Sequence, residues 1–219
     1  MKRNILFGLS FIMMMITLYL VFVWVPTITE MGIIERIFYL MVPMGWLSLL
    51  AFVITGFGSI MYLIKRHSRW DVLANSSAEA GIVFTSVTLL IGSIWAKPIW
   101  GVWWTWEARL TATLILWFIY LAYFLVRSFA TEEHRGATFA AVVAIVGLVD
   151  VPIIALATTL WRGLHPPALV FKGDIDPRML RTMIMGVVAF TIFYVSVLSL
   201  RVSMRNDETE LRRLNQLEE

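Results

Sequence analysis

The sequence predicts an all-α integral membrane protein, a bundle of six transmembrane helices with a Trp-rich segment on its outer face, and three observations predict it. First, 59% of the 219 residues are hydrophobic and only 15% are charged, against roughly a quarter charged in a soluble domain. One soluble core cannot bury that much apolar surface, so lipid is the solvent for much of the chain. Second, the apolar residues gather into runs long enough to cross a hydrocarbon layer of about 30 Å at about 1.5 Å per residue. Third, no apolar/polar alternation recurs at the roughly ten-residue spacing of a lipid-facing barrel strand.

The first run, residues 5–25, follows Met1, Lys2 and Arg3. It exceeds the length of a signal-peptide core and carries no small-x-small cleavage site before Pro26, so it reads as a retained helix. The next runs are 44–64, 80–95, 108–126, 137–160 and 179–202. The start of the third is blurred by Glu79 and Gly81. The tail, 203–219, reads as a solvated and helix-capable cytoplasmic end, and the whole of 1–219 reads as one membrane domain without the inverted repeats of a transporter. An even number of crossings puts both termini on one side. That side holds 11 of the 18 Lys and Arg residues, which makes it cytoplasmic by the positive-inside rule and places the protein in the cytoplasmic (inner) membrane as a multi-pass protein. The outward segments are then 26–43, 97–107 and 161–178.

Composition also excludes. A net charge of +3 with a pI near 9.4 reflects topology rather than nucleic-acid binding, so lipid is a partner and nucleic acid is not. The absence of cysteine removes disulfides, thiolate metal sites and thiol nucleophiles. Asp150, inside the fifth run and two residues before Pro152, reads either as support for an outer-face pocket, through Arg109 or a Trp N–H, or as a hydrogen-bonded core acid; Pro152 is expected to bend the helix there. Neither Asp150 nor Glu79 forms an acid/base pair facing a substrate, so hydrolytic chemistry has no support and no catalytic residue is assigned.

The densest signal lies at residues 95–109. Trp100, Trp103, Trp104 and Trp106 fall within seven residues, Trp95 precedes them, and Glu107 and Arg109 follow. If the stretch is helical, Trp100, Trp103, Trp104 and Glu107 share one face. An interfacial aromatic belt explains one or two such residues per helix end; four beside an acid and a base make a concentrated flat apolar surface. A porphyrin is a rigid, mostly apolar disc that indole faces can cover, and its propionates need cationic or hydrogen-bonding partners. Arg109 and Lys97 are candidates for the propionates. Lys97 reads equally well as a solvated loop charge, and Arg109 as a partner for Glu107.

At these residues the chain resembles a known family. Trp100-Gly-Val-Trp-Trp-Thr-Trp-Glu-Ala-Arg-Leu-Thr111 is similar to the WWD signature of the haem-handling proteins. Gly92-Ser-Ile-Trp-Ala-Lys-Pro-Ile-Trp100, Arg36-Ile-Phe-Tyr-Leu-Met-Val-Pro43 and Val149-Asp-Val-Pro-Ile-Ile154 leading to His165 resemble the branch acting in cytochrome c maturation, haem exporter protein C (CcmC). The resemblance runs from about residue 35 to 201. It implies a non-catalytic assembly factor that presents haem b at the outer face to a CcmE-type haem chaperone. It further implies association with CcmA/CcmB-type ABC transporter subunits and a small single-span CcmD-type subunit. Two other classes stay open: a WWD-type cytochrome c haem lyase and a haem-transporting permease subunit.

The same resemblance implies the iron ligands. His67 and His134 fall in cytoplasmic loops, whereas His165, followed by Pro166 and Pro167, matches the family's second axial histidine. The first axial histidine is replaced here by Met41. Met41 is either a thioether ligand, as in cytochromes c, or a packing residue; Met44 is the weaker substitute. Glu107 stands where the family usually has Asp. The expected haem-binding set is therefore His165, Met41, Trp95, Trp100, Trp103, Trp104, Trp106, Glu107 and Arg109, with His165 and then Met41 at the metal.

Overall fold

The computed structural model describes residues 2–27, 32–161 and 176–218, and every regular element among them is helical. Helix α1 (Lys2–Tyr19) continues as a π-helical turn, Leu20–Trp24. A 3-10 stretch, Gly32–Ile37, leads into α2 (Phe38–Lys65) and then α3 (Ser68–Trp100). Helices α4 (Ala108–Ser128), α5 (Glu133–Gly147), α6 (Asp150–Leu160) and α7 (Pro177–Glu218) complete the order. Six stretches are long and apolar enough to span a membrane: Asn4–Trp24, Gly32–Lys65, Ser68–Trp100, Ala108–Ser128, His134–Ala157 and Pro177–Leu211. The protein is an all-α, six-span integral membrane protein.

Burial follows the logic of a lipid solvent. Large apolar side chains face outward, among them Phe11, Leu90 and Phe118, while Ser76, Ser77, Thr85, Thr182 and Ser196 are wholly buried. Small hydroxyl residues let helix backbones approach closely, and they satisfy themselves on carbonyls one turn back: Thr85 Oγ1 donates to the Gly81 carbonyl at 2.7 Å, and Ser196 Oγ to that of Ile192 at 2.8 Å. Ser77 also ties three helices together. Its hydroxyl donates to the Ala51 carbonyl of α2 at 2.7 Å and lies 2.7 Å from the Tyr194 hydroxyl of α7.

Helices α3 and α4 run antiparallel, their register held midway along the pair by two contacts. Trp117 Nε1 donates to Ser86 Oγ at 2.8 Å. Tyr120 fills the notch at Gly81, where an added Cβ would stand 2.0 Å from the tyrosine oxygen. This register gathers the start of α2, the end of α3 and the starts of α4 and α7 at one end of the bundle, called here the aromatic end. The opposite, basic end holds the α2–α3 and α4–α5 connections.

Two elements differ from the sequence expectation. Helix α3 begins at Ser68, about three turns before residue 80. The polar residues Asp71, Asn75, Ser76, Ser77 and Glu79 lower the local hydropathy, yet they lie within the helix, and Asp71, Ser77 and Glu79 bond to neighbouring helices. The fifth span is broken between α5 and α6. Leu148 N bonds to both Ala144 and Ile145 carbonyls, Val149 N bonds to Val146, and Pro152 supplies no N–H to the Leu148 carbonyl. Asp150 opens α6 there, 8% exposed, and its Oδ2 has no hydrogen-bond partner among the described residues. Helix α7 runs unbroken through the tail to Glu218.

Candidate functional site

The Trp-rich stretch is not one helix. Helix α3 ends at Trp100, Gly101 takes the left-handed conformation with φ +77°, and residues 101–107 are irregular until α4 starts at Ala108. The single helical face expected for Trp100, Trp103, Trp104 and Glu107 is therefore replaced by a loop. Gly101 is the reason: its N–H bonds to the Lys97 carbonyl at 3.0 Å, an αL helix cap that turns the chain out of α3. Pro98 and Gly101 together are a helix-stop signal in the sequence.

Lys97 closes that turn from the other side. Its Nζ donates to the Gly101 carbonyl at 2.9 Å and sits 6.0 Å from the ring centroid of Trp103. The cation is spent on the cap and on one indole, a role neither of the two sequence readings of Lys97 contained. Nothing lies within 4 Å of a Cβ built on Gly101, so substitution there costs backbone strain alone. Gly101→Ala is expected to lower stability by about 1–2 kcal/mol, read as a lower thermal midpoint, with Gly101→Asn closer to wild type.

The indoles form two edge-to-face pairs. Trp95 and Trp100 have centroids 5.4 Å apart at 85°, and Trp104 and Trp106 are 5.8 Å apart at 79°. Trp95 is buried and Trp104 half-buried, while Trp103 and Trp106 are 59% and 76% exposed. The inner rings thus anchor the loop and the outer rings present apolar surface. Glu107 is the half-buried N-cap residue of α4, where its charge suits the helix dipole, and Arg109 projects exposed from the first turn. Among the described residues, four polar atoms of this stretch are buried without a hydrogen-bond partner: Trp95 Nε1, Trp104 Nε1, Thr105 Oγ1 and Thr111 Oγ1. Indole N–H groups only donate and hydroxyls readily do so, so this set is complementary to an acceptor. Thr105 and Thr111 carried no sequence signal, because isolated threonines beside tryptophans look ordinary.

Met41 lies half-buried on α2, its Sδ 3.9 Å from where a Cβ on Gly92 would stand, so its thioether meets α3 at a position without a side chain one turn before Trp95 and Ala96. His165 lies outside the described residues. His67 and His134 are at the basic end: His67 Nδ1 accepts from Arg69 N at 3.3 Å as the cap of α3, and His134 stacks 6.0 Å from Tyr62. Arg36, which opens the matched stretch leading into α2, donates to the Phe22 carbonyl within the π-helical turn, and Tyr39 donates to buried Glu35 at 3.1 Å. Among the described residues no group of three or more His, Asp or Glu side chains is arranged to hold a bare metal ion.

Comparison with known proteins adds independent findings. A family model described as heme exporter protein C matches residues 2–217. The chain is 33% identical over 196 residues to heme exporter protein C of Bradyrhizobium diazoefficiens, covering 88% of this chain and 73% of that relative. It is 35% identical over 168 residues to a putative cytochrome c biosynthesis ccmC-like mitochondrial protein of Marchantia polymorpha, covering 76% and 71%. It is 29% identical over 185 residues to heme exporter protein C of Escherichia coli K12, covering 84% and 75%.

Proposed function

The chain belongs to the heme exporter protein C family, and from that premise we propose that it binds haem b at the aromatic end and presents it to an extracytoplasmic chaperone of the CcmE type during cytochrome c maturation. The observation that carries this reading is the loop 101–107 with its flanks, where Trp103, Trp106 and Arg109 are exposed and the donors of Trp95, Trp104, Thr105 and Thr111 find no partner among the described residues. Apolar ring faces, acceptor-seeking donors and a guanidinium are what a flat apolar disc bearing two carboxylates requires. Bound haem would supply the group to be handed on; this chain's residues hold and orient it. Trp103 and Trp106 would cover its face, Arg109 and the buried donors would take its carboxylates, and His165 would hold its iron, with Met41 a weak second ligand or a packing residue.

The Lys and Arg distribution supports a topology with both termini cytoplasmic and the aromatic end on the outer face of the cytoplasmic membrane. In that orientation, CcmA/CcmB-type ABC subunits would meet the basic end from the cytoplasm, with a CcmD-type single-span subunit alongside. The role is that of an assembly factor rather than a bond-making catalyst.

Purified wild type, His165→Ala and Met41→Leu should be compared by absorption and magnetic circular dichroism. The expected result is loss of the axial signature in His165→Ala and a smaller change in Met41→Leu. An unchanged His165→Ala spectrum would remove that ligand, and an unchanged Met41→Leu spectrum would leave Met41 as packing. Transfer of haem to a purified chaperone supports the assembly role. Thioether formation without the chaperone would reassign the protein to the lyase class.

A further inference from the structure

At the basic end one strip of α3 carries three polar residues at four-residue spacing, Asp71, Asn75 and Glu79. Eight residues wind the strip by about 80° around the helix, so its first member faces α4 and its last faces α7. Asp71 forms a two-pronged ion pair with Arg127 of α4, at 2.5 Å from Nη1 and 2.8 Å from Nη2, with both side chains about 15% exposed. Glu79 receives Arg201 of α7 through Nε at 2.7 Å and Nη2 at 2.6 Å, and its other oxygen pairs with Arg205. With its amide oxygen turned toward Arg205, Asn75 accepts from both terminal nitrogens of that guanidinium at 2.8 and 3.0 Å. Tyr123 adds its hydroxyl to Arg127 at 3.4 Å.

The same three helices also reach the other end of the bundle. Helix α3 brings Trp95 and Trp100 there, α4 brings Glu107, Arg109 and Thr111, and α7 starts there at Pro177. Helix α3 is unbroken from Glu79 to Trp100, a rise of about 30 Å. Between the two ends the helices are held by the Trp117–Ser86 and Tyr120–Gly81 contacts of α4 with α3 and by the Ser77–Tyr194 contact of α3 with α7. Two-pronged guanidinium–carboxylate pairs have fixed geometry and resist shifts of one helix along another in a low-dielectric setting.

We propose that the Asp71–Arg127 and Glu79–Arg201–Arg205 pairs are positioning residues for the aromatic-end site, holding the axial register of the three helices that carry it together with the contacts midway along them. The proposal rests on the haem-binding reading of that site. It assigns a part in haem binding to side chains at the opposite end of the bundle that never touch the ligand.

Because the chain lacks cysteine, spin labels can be placed cleanly at lipid-exposed positions near the aromatic end by Ile94→Cys on α3 and Ile184→Cys on α7. The label distance distribution and the haem affinity of the full chain are measured for wild type, Glu79→Gln, Arg127→Gln and the exchanged pair Asp71→Arg with Arg127→Asp. The expected result is a broadened or shifted distance in Glu79→Gln and at least tenfold weaker haem binding in both single variants. The exchanged pair should recover most of that affinity. Unchanged distances and affinity in folded, monodisperse Glu79→Gln and Arg127→Gln overturn the proposal. If the exchanged pair does not fold, Asp71→Asn serves in its place, and wild-type affinity there also counts against the idea. A wild type that binds no haem, with distances still broadened in Glu79→Gln, overturns the haem reading while upholding the register.

Discussion

Gly81→Leu is expected to leave little monodisperse protein after extraction into detergent. A Cβ at this position would stand 2.0 Å from the Tyr120 oxygen and 2.4 Å from its Cζ, so even the first added carbon collides with a ring rather than with the tip of a flexible chain. Tyr120 cannot swing away. It is fully buried, donates to the Ser48 carbonyl at 3.2 Å, and packs edge-to-face on Phe52 at 4.8 Å. Overpacking a tight core costs about 1–3 kcal/mol per modest insertion. A leucine here forces α3 and α4 apart and removes the Tyr120 contacts as well, a large share of the roughly 5–15 kcal/mol that holds a domain. Size-exclusion profile and thermal midpoint read the effect, and Tyr120→Ala in the Gly81→Leu background should recover part of it. A Gly81→Leu protein that melts with wild type would show that this notch does not set the helix register.

The second large effect is on ligand binding. Trp104→Ala is expected to weaken haem binding by about a hundredfold while leaving the bundle folded, whereas Trp106→Phe should cost less than tenfold. Trp104 is the half-buried member of its pair and Trp106 the exposed one. Truncating Trp104 removes both a ring that anchors the loop and a buried N–H donor. Large-to-alanine truncations of this kind cost about 3–5 kcal/mol at well-packed sites, and about 2.8 kcal/mol already corresponds to a hundredfold in affinity. Haem titration by absorption, on protein whose size-exclusion profile matches wild type, decides it. Wild-type affinity in a folded Trp104→Ala protein would return these indoles to the role of an interfacial belt.

Much of the architecture is legible in the chain because lipid imposes a simple rule. Apolar runs such as those in α1 and α4 coincide with the helices within a few residues. The rule weakens where polar side chains serve the bundle interior. Asp71, Asn75 and Glu79 look like a loop to a hydropathy scale, because the arginines that pair with them lie more than fifty residues away in α4 and α7. The break in the fifth span was foreshadowed by Pro152. At the candidate site the residue types are legible and the shape is not. The spacing of Trp100, Trp103, Trp104 and Glu107 suggests a common helical face, and the single glycine that converts the stretch into a loop outweighs the periodicity. Lys97 shows a similar limit: a charge next to an aromatic cluster looks available for a ligand until its cap bond to Gly101 is seen.

The pairing of α1 with α7 has a consequence for synthesis. Ser196 of α7 reaches the Leu6 carbonyl of α1 across 190 positions of sequence, and Thr17 of α1 packs toward Gly186 of α7. Helix α1 therefore leaves the ribosome well over a hundred residues before α7, the helix it packs against. At about 5–20 residues per second, it waits on the order of ten to forty seconds in the bilayer with Ser10 and Thr17, buried in the finished protein, still facing lipid. Over that interval the face of α1 that α7 covers is open to wrong pairing, and arrival of α7 is the step that closes it.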